Sequence, residues 1–145
     1  MFDRAAATGS AVFVVVHSSN PEGRSLQDAR HPDGRTVSEA LADDISAFNA
    51  GLGAGTGPVG AVVGATIDPA HVAILDRLPQ SLILAPGVGA QGARLADIGA
   101  TFAAPRGRTL PSVSRGLLRQ GPSVAGLRQA IDRHRDEAWR TLGHS

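Results

Sequence analysis

With 145 residues, 42% of them hydrophobic and 19% charged, the chain holds enough apolar material for one domain with a real core, which excludes a disordered segment. Its net charge of +1 spreads fourteen basic residues among thirteen acids, and aromatics are only 3%, so neither a nucleic-acid footprint nor a base-stacking platform is expected. Every basic residue is arginine and cysteine is absent, which excludes lysine-based acid, base or Schiff-base chemistry, thiolate chemistry and disulfides from this chain.

In chain order, residues 12–16 form a short apolar run, mostly β-branched, suited to a strand buried on both faces. Residues 18–35 are polar, contain Pro21, Gly23, Pro32 and Gly34, and read as a long loop. Thr36 with Glu39 three residues on is a capping box that opens a helix to about Asn49, with Val37, Ala40, Leu41, Ile45 and Phe48 on its apolar face. A glycine-rich connector, 51–58, leads to a second strand at 59–63. Asp68-Pro69 then caps a helix with Val72, Leu75 and Leu78 on its inner side.

A third strand is expected at 81–85, a short helix at 94–98 and a fourth strand at 109–113. Ser123 opens a final amphipathic helix to about Leu142, with Leu127, Ile131, Ala138 and Leu142 inward. Four strand–helix units without a composition break predict a parallel sheet with right-handed crossovers, in a single unit covering residues 1–145. No apolar run approaches the ~20 residues of a membrane span. The first ten residues hold Asp3 and Arg4 and no apolar h-region of a secretory signal, so a cytoplasmic address with no membrane partner is expected.

The strand tips carry the chemistry. The runs end in His17-Ser18-Ser19-Asn20-Pro21-Glu22-Gly23, in Gly64-Ala65-Thr66, in Pro86-Gly87-Val88-Gly89-Ala90-Gln91-Gly92 and in Ser112-Val113-Ser114-Arg115. Glycine, serine, glutamine and arginine at the ends of parallel strands suit a phosphorylated ligand. Gly87-Val88-Gly89-Ala90-Gln91-Gly92 also matches G-x-G-x-x-G, but it follows the third strand, and about 20 residues on stands Arg108-Thr109-Leu110-Pro111-Ser112 without an acid. A dinucleotide site is therefore not expected. The serines are outside G-x-S-x-G, which argues against a hydrolase elbow. His17, His31, His71, His134 and His144 lack metal-ligand spacing and read as structural or surface residues, so no metal is expected.

Taken together with Gly34-Arg35-Thr36-Val37 and Val59-Gly60-Ala61-Val62-Val63, these segments resemble, in order, the orotidine 5′-phosphate decarboxylase family in its longer actinobacterial form. The resemblance covers about residues 12–118. It implies a (β/α)8 barrel, of which this chain would supply strands five to eight. A barrel usually has ~250 residues, so four units in 145 residues make a C-terminal half, with residues 1–7 as the end of the preceding helix.

By the resemblance, Gly87, Gly89 and Gly92 and the amide of Gln91 would grip the nucleotide's phosphate together with Arg115, and Gln91 would meet Ser19, which faces the pyrimidine. Thr66 would line the floor with Gly64 and Ala65. Ala93 stands where relatives often have a further glycine, which should narrow the loop's freedom. The family's Asp/Lys/Asp/Lys array belongs to earlier strands, and its lysine protonates C6 after loss of carbon dioxide, without cofactor or metal. This chain has no lysine, so no catalytic residue is assigned and the chain alone is expected to be inactive. The implied partners are orotidine 5′-phosphate or a UMP-type nucleotide, the missing N-terminal half-barrel and, for the intact enzyme, a second subunit. A non-catalytic phosphate-binding half-barrel and a purely structural fragment are the alternatives. Two unpaired sheet edges and an uncovered face predict self-association of the half alone.

Overall fold

The sheet is built from the β-branched runs. In the computed structural model, which describes residues 1–89 and 91–143, β1 (Val12–His17), β2 (Val59–Val63), β3 (Ile83–Pro86) and β4 (Thr109–Ser112) pair in that order, all parallel. Ala90 of the glycine-rich segment and His144 lie outside the described residues. The helices are α1 (Phe2–Thr8), α2 (Arg24–Gln27), α3 (Val37–Gly51), α4 (Leu95–Thr101), α5 (Arg115–Leu118) and α6 (Val124–Leu142).

Register sorts the strand residues onto two faces. Val14, Ala61, Ile83 and Thr109 stand side by side, as do Val62, Leu84 and Leu110 on the opposite face. The first row meets the helices: Ala61 and Ile83 are fully buried and share a core with Val16, Ile45, Leu75, Ile98 and Phe102. The second row has no covering layer among the described residues. Phe13, Val15 and Leu110 are exposed at 38%, 58% and 43%, which identifies a sheet face without its partner.

The expected capping box forms: Glu39 N–H donates to Thr36 Oγ1 at 3.1 Å, and Thr36 N–H to Glu39 Oε2 at 2.7 Å. Ala40 and Ile45 face the core as expected, with Leu41 and Phe48 partly buried beside them. Two polar residues join that face. Ser38 donates its hydroxyl to the Val16 carbonyl, and Asn49 binds both the N–H and the carbonyl of Val59.

Elsewhere the structure corrects the expectation. Asp68 does cap the next segment, accepting from Ala70 N–H, but Pro69–Arg77 winds as a 3₁₀ helix, burying Ile74, Leu75 and Leu78 and leaving Val72 at the margin. The loop after β1 is partly ordered into a 3₁₀ turn at Pro21–Gly23 and the single turn α2. In α6 the inner residues include Ala130 and Leu142, whereas Ile131, expected inward, is 50% exposed beside the exposed Trp139. These two side chains border a groove of about 670 Å³ along β4, the sheet's free edge, where no further strand of this chain stands among the described residues.

Candidate functional site

All four strands point their C-terminal ends at one cavity of about 430 Å³. Ser18, Ser19 and Asn20 after β1 form one wall. Gly64 after β2 lies at its base, Gly87 and Gln91 after β3 form a second wall, and Ser114 and Arg115 after β4 complete the rim. The sheet ladder extends into these turns: Gly64 N–H donates to the His17 carbonyl at 2.9 Å and Ala65 N–H to the Pro86 carbonyl at 2.8 Å. Ser19 rests against Gly64, where an added Cβ would stand 3.0 Å from both its amide nitrogen and its Oγ. Ser18 N–H donates to Gln27 Oε1 at 3.2 Å, and the Ser18 hydroxyl accepts from Asn20 N–H at 3.1 Å. Together these two bonds hold the turn in shape.

The glycine-rich segment closes on itself. Gln91 N–H donates to the Gly87 carbonyl, Gly92 N–H to the Gly89 carbonyl and Gly89 N–H to the Ala93 carbonyl. Ala93 is buried in this arrangement and bridges Val88, so the loop accommodates an alanine there. Gly87 has φ +112°, and a Cβ there would stand 2.5 Å from Gln91 Oε1. Gly87→Ala is expected to cost ~1–3 kcal/mol through that backbone strain, and to move the Gln91 amide. A urea midpoint equal to that of the parent chain contradicts this.

Of the residues expected at the site, Ser19, Gln91, Gly87 and Arg115 line the cavity. Ser19 and Gln91 share it without a direct hydrogen bond among the described residues. Gly89 and Gly92 stand outside its wall and shape the loop, and Thr66 is exposed, so Gly64 is the residue of that turn that reaches the cavity. His17, Asn20, Ser112 and Ser114 line it as well, though only their neighbours were singled out; the signal was their place inside the same motifs. The electrostatics are one-sided. Arg115 is the one charged lining residue with a permanent charge, no acid lines the wall, and among the described residues Arg115 enters no ion pair. No group of three metal-ligating side chains occurs among the described residues.

No family model matches the chain. It is 50% identical over 133 residues to the orotidine 5′-phosphate decarboxylase of Myxococcus xanthus, covering 91% of this chain and 46% of the relative. With that of Salinispora arenicola it shares 48% over 134 residues, 92% of this chain and 47% of the relative. Over that half, the chain is similar to the orotidine 5′-phosphate decarboxylases. A crystal structure assigned as such an enzyme from Streptomyces avermitilis superposes with a TM-score of 0.88 at 40% identity, over 99% of this chain and 49% of that one. The Leishmania donovani OMP decarboxylase structure matches with a TM-score of 0.64 at 31% identity, over 89% and 48% respectively. The chain thus spans about half the length of the relatives it matches, and its four parallel strands with their helices superpose on about half of the Streptomyces avermitilis chain.

Proposed function

We propose that this chain is the C-terminal, nucleotide-binding half of an orotidine 5′-phosphate decarboxylase, with Arg115, Gln91 and the Gly87 turn at the phosphate and Ser19 at the pyrimidine. The observation that carries it is the cavity where four parallel strands end, with a single permanent cation and no acid in its wall. An arginine guanidinium offers a phosphate a planar pair of donors with a charge that does not titrate away. A remote phosphate grip supplies binding energy that the intact enzyme spends on its transition state. Gly89, Gly92 and Thr66 act at one remove, in shaping the turns. In the intact barrel this reading implies conversion of orotidine 5′-phosphate to UMP and carbon dioxide, in the cytoplasm, by a dimer that uses neither cofactor nor metal.

The chain has no lysine, so the proton for C6 of the product must come from the other half. The exposed row of Phe13, Val15 and Leu110 supports a partner on that face. Calorimetric titration with UMP and with uridine tests the binding reading: UMP binds and uridine, lacking the phosphate, does not. Equal response to the two sinks it. The same preparation is expected to release no carbon dioxide from orotidine 5′-phosphate, and turnover above a mock preparation overturns the assignment of chemistry to the missing half. A non-catalytic half-barrel is separated from the decarboxylase by adding the lysine-bearing half of a relative, which restores turnover only in the second case.

A further inference from the structure

At the cavity wall His17 pairs with a second histidine, His71, behind it, and the nucleotide reading gives the pair no role. Regular alternation along β1 from Phe13 and Val15 would turn His17 to the uncovered face. The register shifts between Val15 and His17, setting His17 opposite Val63 on the helix-covered side. There its ring is 5% exposed and stacks on His71 of the 3₁₀ helix Pro69–Arg77, with centroids 4.8 Å apart and planes tilted 32°. His71 Nε2 lies 3.4 Å from Asp28 Oδ1, and Asp28 is the C-cap of α2. The Nδ1 atoms of both rings are buried without a hydrogen-bond partner among the described residues.

The connectivity makes this contact consequential. His17 is followed by Ser18, whose N–H is held by Gln27, the residue before Asp28. One end of the cavity-lining turn therefore starts at His17, and the segment that returns from it is fastened to His71 through Asp28. We propose that His17, His71 and Asp28 are positioning residues that fasten the Ser18–Ser19–Asn20 wall at neutral pH and release it on acidification. The titratable and charged groups facing His17 are Arg24 and Asp28 from α2 and its cap, and Asp68 and His71 from the 3₁₀ segment. Burial first, then the neighbouring His71, hold His17 below the ordinary imidazole value of about 6.5.

The sign follows from that. The fastened wall keeps His17 neutral, while an opened one lets it take a proton, so fastening is complete above about 6.5 and is lost as the pH falls. Asp28 favours a proton on His17, but burial and the neighbouring His71 oppose it more strongly. The inference rests on reading this cavity as the ligand site, so the wall itself is measured, without ligand, and a failure to bind UMP leaves that measurement standing.

The experiment is hydrogen–deuterium exchange by mass spectrometry on the full chain at pH 7.5 and 5.5, corrected for intrinsic exchange rates. Residues 18–28 are expected to lose protection severalfold, up to ~tenfold, at the lower pH. That is the change produced when an imidazole of ordinary value about 6.5 in the opened wall is kept neutral in the fastened one. Residues 59–63 of β2 are expected to keep theirs. His71→Phe keeps a ring on His17 without a second titrating group, and its loss between the two pH values should be markedly smaller. Asp28→Asn removes the carboxylate that favours a proton on His17, and its loss between the two pH values should be larger. Equal protection of residues 18–28 at both pH values in the parent chain overturns the proposal. So does a loss shared with β2, which means global unfolding, or a pH response that His71→Phe leaves unchanged.

Discussion

Arg115→Ala is expected to lower the affinity for UMP by about 30- to 100-fold, with uridine unbound by parent and variant alike. The size follows from losing the proposed charged partner of the phosphate, taken at roughly 2–3 kcal/mol in all, the upper part of the range for a hydrogen bond to a charged group. Each tenfold in affinity is about 1.4 kcal/mol. The loss is confined to binding because Arg115 is exposed, opens the single turn α5 and enters no ion pair among the described residues. Its removal therefore breaks nothing that folds the chain, and the urea midpoint is expected to stay where it is. Arg115→Lys should recover part of the affinity, since an ammonium restores the charge without the planar fork. Calorimetry on the three proteins with both ligands decides the matter, and an alanine variant with parental affinity for UMP removes Arg115 from the site.

Asn49→Ala is the substitution expected to cost the fold most among the polar ones described above. Asn49 is 1% exposed at the end of α3. Its Nδ2 donates to the Val59 carbonyl at 2.8 Å and to Ser81 Oγ at 3.1 Å, and its Oδ1 accepts from Val59 N–H at 3.2 Å. One side chain thus satisfies both backbone groups of the first residue of β2 and reaches the approach to β3. Alanine leaves two or three buried polar groups unpaired, at about 1–3 kcal/mol each. A loss of about 3 kcal/mol is a large share of the ~5–15 kcal/mol that a domain has in hand. Urea denaturation followed by far-ultraviolet circular dichroism measures it, and a loss under about 1 kcal/mol shows that the strand start finds other partners. Gly57 belongs to the same arrangement: a Cβ there would stand 2.2 Å from Asn49 Oδ1.

How far the site could be read in advance divides along the same line as the fold. Gly87, Gln91, Ser19 and Arg115 were legible because each sits at the end of an apolar run inside a motif, and the end of a parallel strand is where a ligand site forms. Of Gly64, Ala65 and Thr66, expected together on the floor, Gly64 reaches the cavity and Thr66 is exposed, because the ladder bonds of Gly64 and Ala65 carry the strand alignment past β2. Gln27, which fastens Ser18 from nine residues away, carries no local signal.

By itself the sequence determined the order of the strands, the capping box at Thr36 and the absence of lysine. Each of these depends on residues within a few positions of one another or on composition alone. Only the tertiary structure decided that His17 turns to the covered side through a shift in register, that Ser38 and Asn49 are buried with partners, and that Ile131 faces an open groove rather than a core. Those outcomes depend on which strand pairs with which and on what covers a face. Pairing and covering join residues far apart in the chain, so no local pattern announces them.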